Sequence, residues 1–92
     1  MADIELTRSH SLGLADGRDA VERVAQQLEN DIGVDYEWDD NTLLFDGQAA
    51  DGEIAVEADR IAIEINLSAF LRPMQGQLEQ EAERYLDAYL QS

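Results

Sequence analysis

The sequence predicts an α+β domain, in which a single antiparallel sheet of about five strands carries two helices on one face, in the order β-α-β-β-β-β-α. Five short segments alternate apolar and polar residues, as half-buried strands do, and two longer segments repeat apolar residues with the helical period. Short turns connect the last four strands, which must therefore form an antiparallel meander. Each strand has one polar face, so both helices should cover the same side of the sheet.

The first segment is predicted to be a strand, because polar residues alternate with Ile4, Leu6, Arg8 and His10. Gly13 interrupts this pattern. Asp16 is then a candidate N-cap. Gly33 is a residue type that commonly ends helices. The pattern predicts a helix over residues 16–32 with an apolar stripe of Val21, Val24, Ala25, Leu28 and Ile32.

Turn residues divide the meander, with one turn at Asp40 and Asn41 and another at Asp59 and Arg60. A loop over residues 47–52 separates the two hairpins, and residues 53–58 and 61–68 form the last two strands. The first strand should join the sheet beside residues 61–68, in a direction that stays open. Pro73 suits the first turn of a closing helix, whose apolar stripe consists of Met74, Leu78, Ala82, Tyr85, Leu86 and Tyr89.

Charge limits the classes of partner. The chain has 21 acidic residues against six arginines and no lysine, a net charge of −15. Such a field repels phosphate backbones, which excludes a nucleic-acid partner, and no segment approaches the roughly 18 apolar residues of a membrane span. A solvated surface explains the carboxylates, and adaptation to a high-salt cytoplasm is the alternative. We expect a single domain over residues 1–92, located in the cytoplasm, with homo-oligomerisation left open.

The chain lacks the residues on which most catalytic chemistries depend. The chain has no cysteine, and His10 is its only histidine. Ser9 and Ser11 flank His10, but adjacent strand residues point to opposite faces and cannot form a nucleophile–base pair with it. One histidine with scattered carboxylates is a poor basis for a zinc site. We expect no enzyme, no cofactor and no catalytic or metal-binding residue. The aromatic residues are expected to form the core, with a ligand pocket as the alternative.

Two groups of residues are candidates for docking. An apolar cluster at the junction before the closing helix would dock on something hydrophobic if exposed, and would form a packed hinge if buried; it consists of Phe70, Leu71 and Met74. Three cationic or titratable side chains would form an anion or partner site if they converged at one rim; these are Arg8, His10 and Arg72. The structural alternative is that Arg8 pairs with a helix carboxylate and His10 caps a chain end.

Six segments in order resemble the polyhydroxyalkanoic acid system protein family, small bacterial proteins linked to polyhydroxyalkanoate granule genes. The segments cover residues 8–13, 20–28, 36–38, 42–45, 52–54 and 70–86. The resemblance spans nearly the whole chain, and its specificity lies in the order and spacing of the segments. It implies a non-enzymatic accessory role at storage granules, with the granule or its proteins as partner.

A second class of function remains open. The element order is similar to a reduced helix-grip fold, which would make the domain a small hydrophobic-ligand carrier or an enzyme. A helix-grip cavity normally needs a larger sheet, and in a chain of 92 residues the two helices should fill the space.

Overall fold

A computed structural model describes residues 2–89, apart from the side chains of Ile32 and Tyr89, both assigned to helical stripes above. It confirms the α+β fold and the predicted element order. A 3₁₀ turn at Arg72–Met74 precedes the closing helix and contains Pro73. The elements are β1 (Ile4–Ser9), α1 (Gly13–Ile32), β2 (Asp35–Asp39), β3 (Thr42–Asp46), β4 (Ala50–Val56), β5 (Arg60–Leu67) and α2 (Gln75–Tyr89).

The strands form one sheet in the order β1-β5-β4-β3-β2, and every neighbouring pair is antiparallel. The predicted neighbour of β1 is confirmed, and the direction that the sequence left open is antiparallel. It follows that β1 and β2 run the same way at opposite edges of the sheet. Helix α1 connects these two edges.

Three predicted boundaries are wrong. Helix α2 begins at Gln75, so Pro73 and Met74, predicted in its first turn and its apolar stripe, lie in the preceding 3₁₀ turn, where Met74 is exposed. Helix α1 begins at Gly13, so Asp16 lies in its first turn rather than at the N-cap. The N-cap residue is Leu12, which has no capping side chain of its own; instead its N–H donates to Nδ1 of His10 at 3.1 Å. Strand β4 begins at Ala50, because residues 50–52 continue the antiparallel pairing with β3 and β5 into the predicted loop.

The predicted turn at Asp40 and the predicted helix end at Gly33 are confirmed. Asp40 adopts a φ of 57°, a left-handed conformation that Asp tolerates better than most residues, between β2 and β3. Gly33 has a φ of 70° and ends α1, with its N–H bonded to the Glu29 carbonyl oxygen at 3.0 Å.

Both helices cover the same face of the sheet, and the core lies between them and the strands. Among the described residues of α2, Leu86 is the one that is fully buried, whereas Leu78, Ala82 and Tyr85 are half-buried. The helices do not fill the space, contrary to the sequence expectation: an apolar cavity of about 70 Å³ remains between them and the sheet. The reason is that α2 packs loosely on the sheet, since Leu86 alone among its described side chains is fully buried.

The opposite face of the sheet is open and carries eight carboxylates. The strand register places them in two rows. In the first row Glu5, Glu64 and Glu53 stand side by side, and in the second Asp35, Asp46 and Asp51 do. Glu37 and Asp39 complete the set. Four carboxylate pairs are thus directly opposite each other across neighbouring strands, which disfavours folding electrostatically.

Candidate docking site

The junction between β5 and α2 is a hydrogen-bonded turn. The N–H groups of Leu71 and Arg72 donate to the carbonyl oxygen of Ser68 at 3.0 and 3.2 Å. The N–H of Met74 then donates to the carbonyl oxygen of Leu71 at 2.9 Å, which begins the 3₁₀ turn. The backbone of this segment, hereafter the docking turn (residues 68–74), is therefore ordered by its own bonds.

Asp3 holds the docking turn against the sheet. Its carboxylate accepts the N–H of Leu67 at 2.8 Å and lies 3.7 Å from Nε of Arg72. Its carbonyl oxygen accepts a hydrogen bond from the side-chain amide of Gln75, the first residue of α2. One residue thus binds both ends of the turn, and the turn should behave as a rigid part of the fold.

The docking turn sends its apolar side chains in two directions. Leu71 points inward and packs on the small cluster of Ile4, Ala50 and Leu67. Phe70 is 70% exposed and Met74 is 43% exposed, although both are large apolar side chains. The two alternatives that the sequence left for this cluster are therefore divided among its residues. Leu71 is the packed hinge, and Phe70 and Met74 are exposed.

Arg8 and His10 serve the scaffold. The core-facing position of Arg8 brings Nη1 to 2.8 Å from Oδ1 of Asp87 on α2, with Glu83 also nearby at 4.0 Å. His10 accepts the Leu12 N–H through Nδ1, and its Nε2 lies 3.0 Å from the Glu57 carbonyl oxygen, to which it can donate as the neutral tautomer. These are the contacts of the structural alternative.

The structure does not bring Arg8, His10 and Arg72 together, so their convergence at one rim is wrong. Arg72 pairs with Asp3, just before β1, while Arg8 lies near the other end of the same strand. Asp3 and Arg8 are five positions apart in an extended segment, so the distance between their Cα atoms is about 17 Å. The candidate site therefore reduces to the docking turn, with Arg72 as its cation.

Sequence reasoning missed a second polar cluster at the opposite edge of the sheet. The Glu22 carboxylate on α1 accepts the hydroxyl of Tyr36 and, at 2.8 Å, Nε1 of Trp38. The guanidinium of Arg18 lies 4.6 Å from the centre of the Trp38 ring. The two aromatic side chains, expected in the core, thus present polar atoms to the helix. The available signal was their spacing: both lie on one face of β2, where an indole or phenol needs a partner if half-buried.

The ionisation of this cluster is shifted. Burial opposes the charged form of Glu22, but hydrogen bonds from Tyr36, Trp38 and Gln26 together outweigh it and lower the pKa of Glu22. The hydrogen bond to Glu22 raises the pKa of the Tyr36 hydroxyl. A charged carboxylate that accepts hydrogen bonds from two aromatic side chains fixes α1 to β2, which is a structural role.

The aromatic residues considered for a ligand pocket are distributed over three places. Phe45 and Tyr85 line the apolar cavity, Tyr36 and Trp38 bind Glu22, and Phe70 is exposed. No group of three or more acidic or histidine side chains within residues 2–89 is arranged to hold a metal ion. Neither helix in this part of the chain is long and apolar enough to cross a membrane.

Comparison with known proteins identifies the family. No curated protein and no solved structure matches the chain significantly. The family of polyhydroxyalkanoic acid system proteins matches residues 4–90. This range contains every helix and strand of the structure and all six segments that carried the resemblance. The chain therefore belongs to the polyhydroxyalkanoic acid system protein family.

Proposed function

We propose that this protein is a non-enzymatic accessory protein that docks on the surface of polyhydroxyalkanoate storage granules through Phe70 and Met74. Membership of the family supports the granule setting. The observation that carries the proposal is the exposure of these two apolar side chains on a hydrogen-bonded turn. We further propose that the protein acts in the cytoplasm, where it meets the granule.

The docking turn is suited to an uncharged, apolar surface. Full burial of a Phe or Met side chain is worth about 1.5–3 kcal/mol, so the two together can hold one copy weakly and reversibly. The Arg72 charge is balanced by Asp3, and the net charge of the chain is −15, so an anionic surface would be repelled. A polyester presents no such charge. We therefore favour the polymer itself over a granule protein as the partner.

The non-enzymatic part of the proposal is supported by the only histidine. Both ring nitrogens of His10 contact backbone groups, which gives the side chain a scaffold role in place of a catalytic one. This part stays a prediction until the chain is assayed with hydroxyacyl esters.

Co-sedimentation with protein-free poly(3-hydroxybutyrate) particles tests the docking. The wild-type chain should sediment with the particles, and the Phe70→Ser, Met74→Ser double variant should not. Leu14→Ser is the matched control: Leu14 is 38% exposed but lies in the first turn of α1, which follows the end of β1 that is farther from Asp3. It should retain binding.

Salt and granule composition separate the alternatives. Binding through apolar contacts should persist or strengthen in molar salt, because salt screens the repulsion between acidic chains. Equal sedimentation of the wild type and the double variant would refute the role of the docking turn. Binding to protein-coated granules but not to bare particles would refute the polymer as the partner and identify a granule protein instead.

A further inference from the structure

The cavity between the two helices and the sheet has the features of a small binding site. Its volume is about 70 Å³, and its walls are almost wholly apolar. Both helices and the sheet contribute side chains to it, namely Val24 and Leu28 from α1, Leu78 and Ala82 from α2, and Phe45 and Ile63 from the sheet. Leu28, Leu78 and Ala82 are half-buried rather than buried, so the cavity is reached from solvent between the helices without unfolding.

The size of the cavity limits what it can hold. An apolar cavity of about 150 Å³ stays dry and takes up a benzene ring, which has six carbon atoms. A cavity of about 70 Å³ therefore has room for about three carbon atoms. Water gains little there, because it would have few polar partners. A propyl-sized alkyl group fits both the volume and the chemistry of the walls.

The rim of the cavity determines the charge of its ligand. Asp31 of α1 and Glu81 of α2 line it, and the Tyr85 hydroxyl donates to Oδ2 of Asp31 at 2.7 Å across the gap between the helices. None of the lining residues within the described part of the chain, residues 2–89, is cationic. An anionic head group next to the alkyl chain would therefore meet two carboxylates with no compensating positive charge. A neutral head group meets no such repulsion.

We propose that this cavity binds the short alkyl end of an uncharged compound and discriminates against a carboxylate that carries the same alkyl group. The inference does not depend on granule docking, since Phe70 and Met74 are not among the residues that line the cavity. If both proposals hold, Leu71 connects them, because it belongs to the docking turn and also lines the cavity. An occupied cavity would then lie directly beneath the contact surface.

Methyl-region NMR titration tests the proposal, with ethyl butyrate as the neutral probe and sodium butyrate as its anion. Both carry the same propyl group. Ethyl butyrate should shift the methyl signals of Leu28, Leu78 and Ile63 saturably, with a dissociation constant on the order of millimolar, as suits so small a ligand. Butyrate should bind at least about tenfold more weakly, a difference of about 1.4 kcal/mol.

Filling the cavity provides the decisive variant. Ala82→Leu should abolish the shifts caused by ethyl butyrate, whereas Ala88→Leu, the same change on an exposed position of α2, should preserve them. If Ala82→Leu does not fold, Leu28→Phe fills the same space from α1 and takes its place. The Phe70→Ser, Met74→Ser variant should bind the ester like the wild type, which keeps this result separate from granule docking.

Three results would overturn the inference. The first is the absence of saturable shifts up to the solubility limit of the ester. The second is equal binding of butyrate and ethyl butyrate, which would mean that the rim carboxylates do not select the ligand. The third is undiminished binding to a folded cavity-filled variant, which would place the ligand elsewhere.

Discussion

The opposed carboxylates of the open sheet face should lower the stability of the fold, and Glu64→Gln should reveal by how much. Glu64 faces Glu5 on one side and Glu53 on the other, so this substitution removes two of the four like-charge pairs and preserves side-chain size. Such a pair costs about 0.2–1 kcal/mol. We expect the free energy of unfolding to rise by about 0.4–2 kcal/mol, which for a domain of this size raises Tm by roughly 2–15 °C.

A control on the same face separates opposed pairs from net charge. Asp39→Asn also removes one negative charge, but Asp39 faces Thr42 rather than a carboxylate. We expect it to change the free energy of unfolding by less than about 0.5 kcal/mol. Asp46→Asn, which has Asp35 and Asp51 on either side, should repeat the gain of Glu64→Gln.

Thermal unfolding followed by circular dichroism, in dilute buffer and in 1 M KCl, is the assay. The Debye length falls from about 10 Å at 0.1 M to about 3 Å at 1 M, which is shorter than the spacing of about 4.5–5.5 Å between opposed Cβ atoms. The Tm of the wild type should therefore rise with salt, and the advantage of Glu64→Gln should shrink. Equal shifts for Glu64→Gln and Asp39→Asn would refute the reasoning from opposed pairs, and a Tm independent of salt would refute the repulsion altogether.

Three further substitutions test other parts of the fold. Leu86→Ala should cost about 2–5 kcal/mol in urea unfolding, because Leu86 is 1% exposed and its removal leaves a cavity under α2; a loss below about 1 kcal/mol would contradict this packing. In the folded state the pKa of Glu22 lies below its ordinary value of 4.5. The charge of Glu22 therefore stabilises the fold at pH values above 4.5, and this contribution is lost as the pH falls through the lowered pKa. Glu22→Gln should remove this part of the pH dependence, measured by Trp38 fluorescence, and an unchanged acid limb would assign it to other carboxylates. Gly52→Ala should destabilise by more than about 3 kcal/mol in thermal unfolding, because the added Cβ would overlap the Glu64 carbonyl oxygen, and a native Tm would show that β4 and β5 can separate locally.

Most of the architecture could be predicted because it depends on local patterns. The two-residue periodicity of β5 and the helical stripe of α1 each identify one element without knowledge of the others. The neighbour of β1 was predicted because that position makes the first helix a crossover, but the direction of β1 could not be predicted. A helix of 20 residues is about 30 Å long, whereas the edge strands of a five-stranded sheet are roughly 19 Å apart. Helix α1 is therefore long enough to connect the two edges whichever way β1 runs, and its length does not determine the direction of β1.

The candidate site was only partly predictable because it depends on tertiary contacts. The sequence marked Phe70, Leu71 and Met74 as one cluster, but no periodicity states which side chain of a turn points outward. The start of α1 was predicted wrongly for a similar reason, because the acceptor for the Leu12 N–H is the side chain of His10 and the predicted N-cap, Asp16, lies inside the helix. The cavity was missed because its existence depends on how deeply α2 lies.

The contacts that hold the docking turn to Asp3 have a consequence for the order of folding. Strand β1 pairs Ile4 with Ile65 and Ser9 with Arg60, residues 61 and 51 positions apart, whereas the pairings among β2, β3, β4 and β5 join only strands that are consecutive in the sequence. Closing so long a loop costs more chain entropy than forming a hairpin, so we expect the meander to assemble early and β1 to join it late. Asp3 can bind Leu67 and Arg72 only once β1 is in place. The rigid presentation of Phe70 is therefore acquired in the last step of folding, and a chain that has collapsed without closing its edge strand lacks an ordered docking turn.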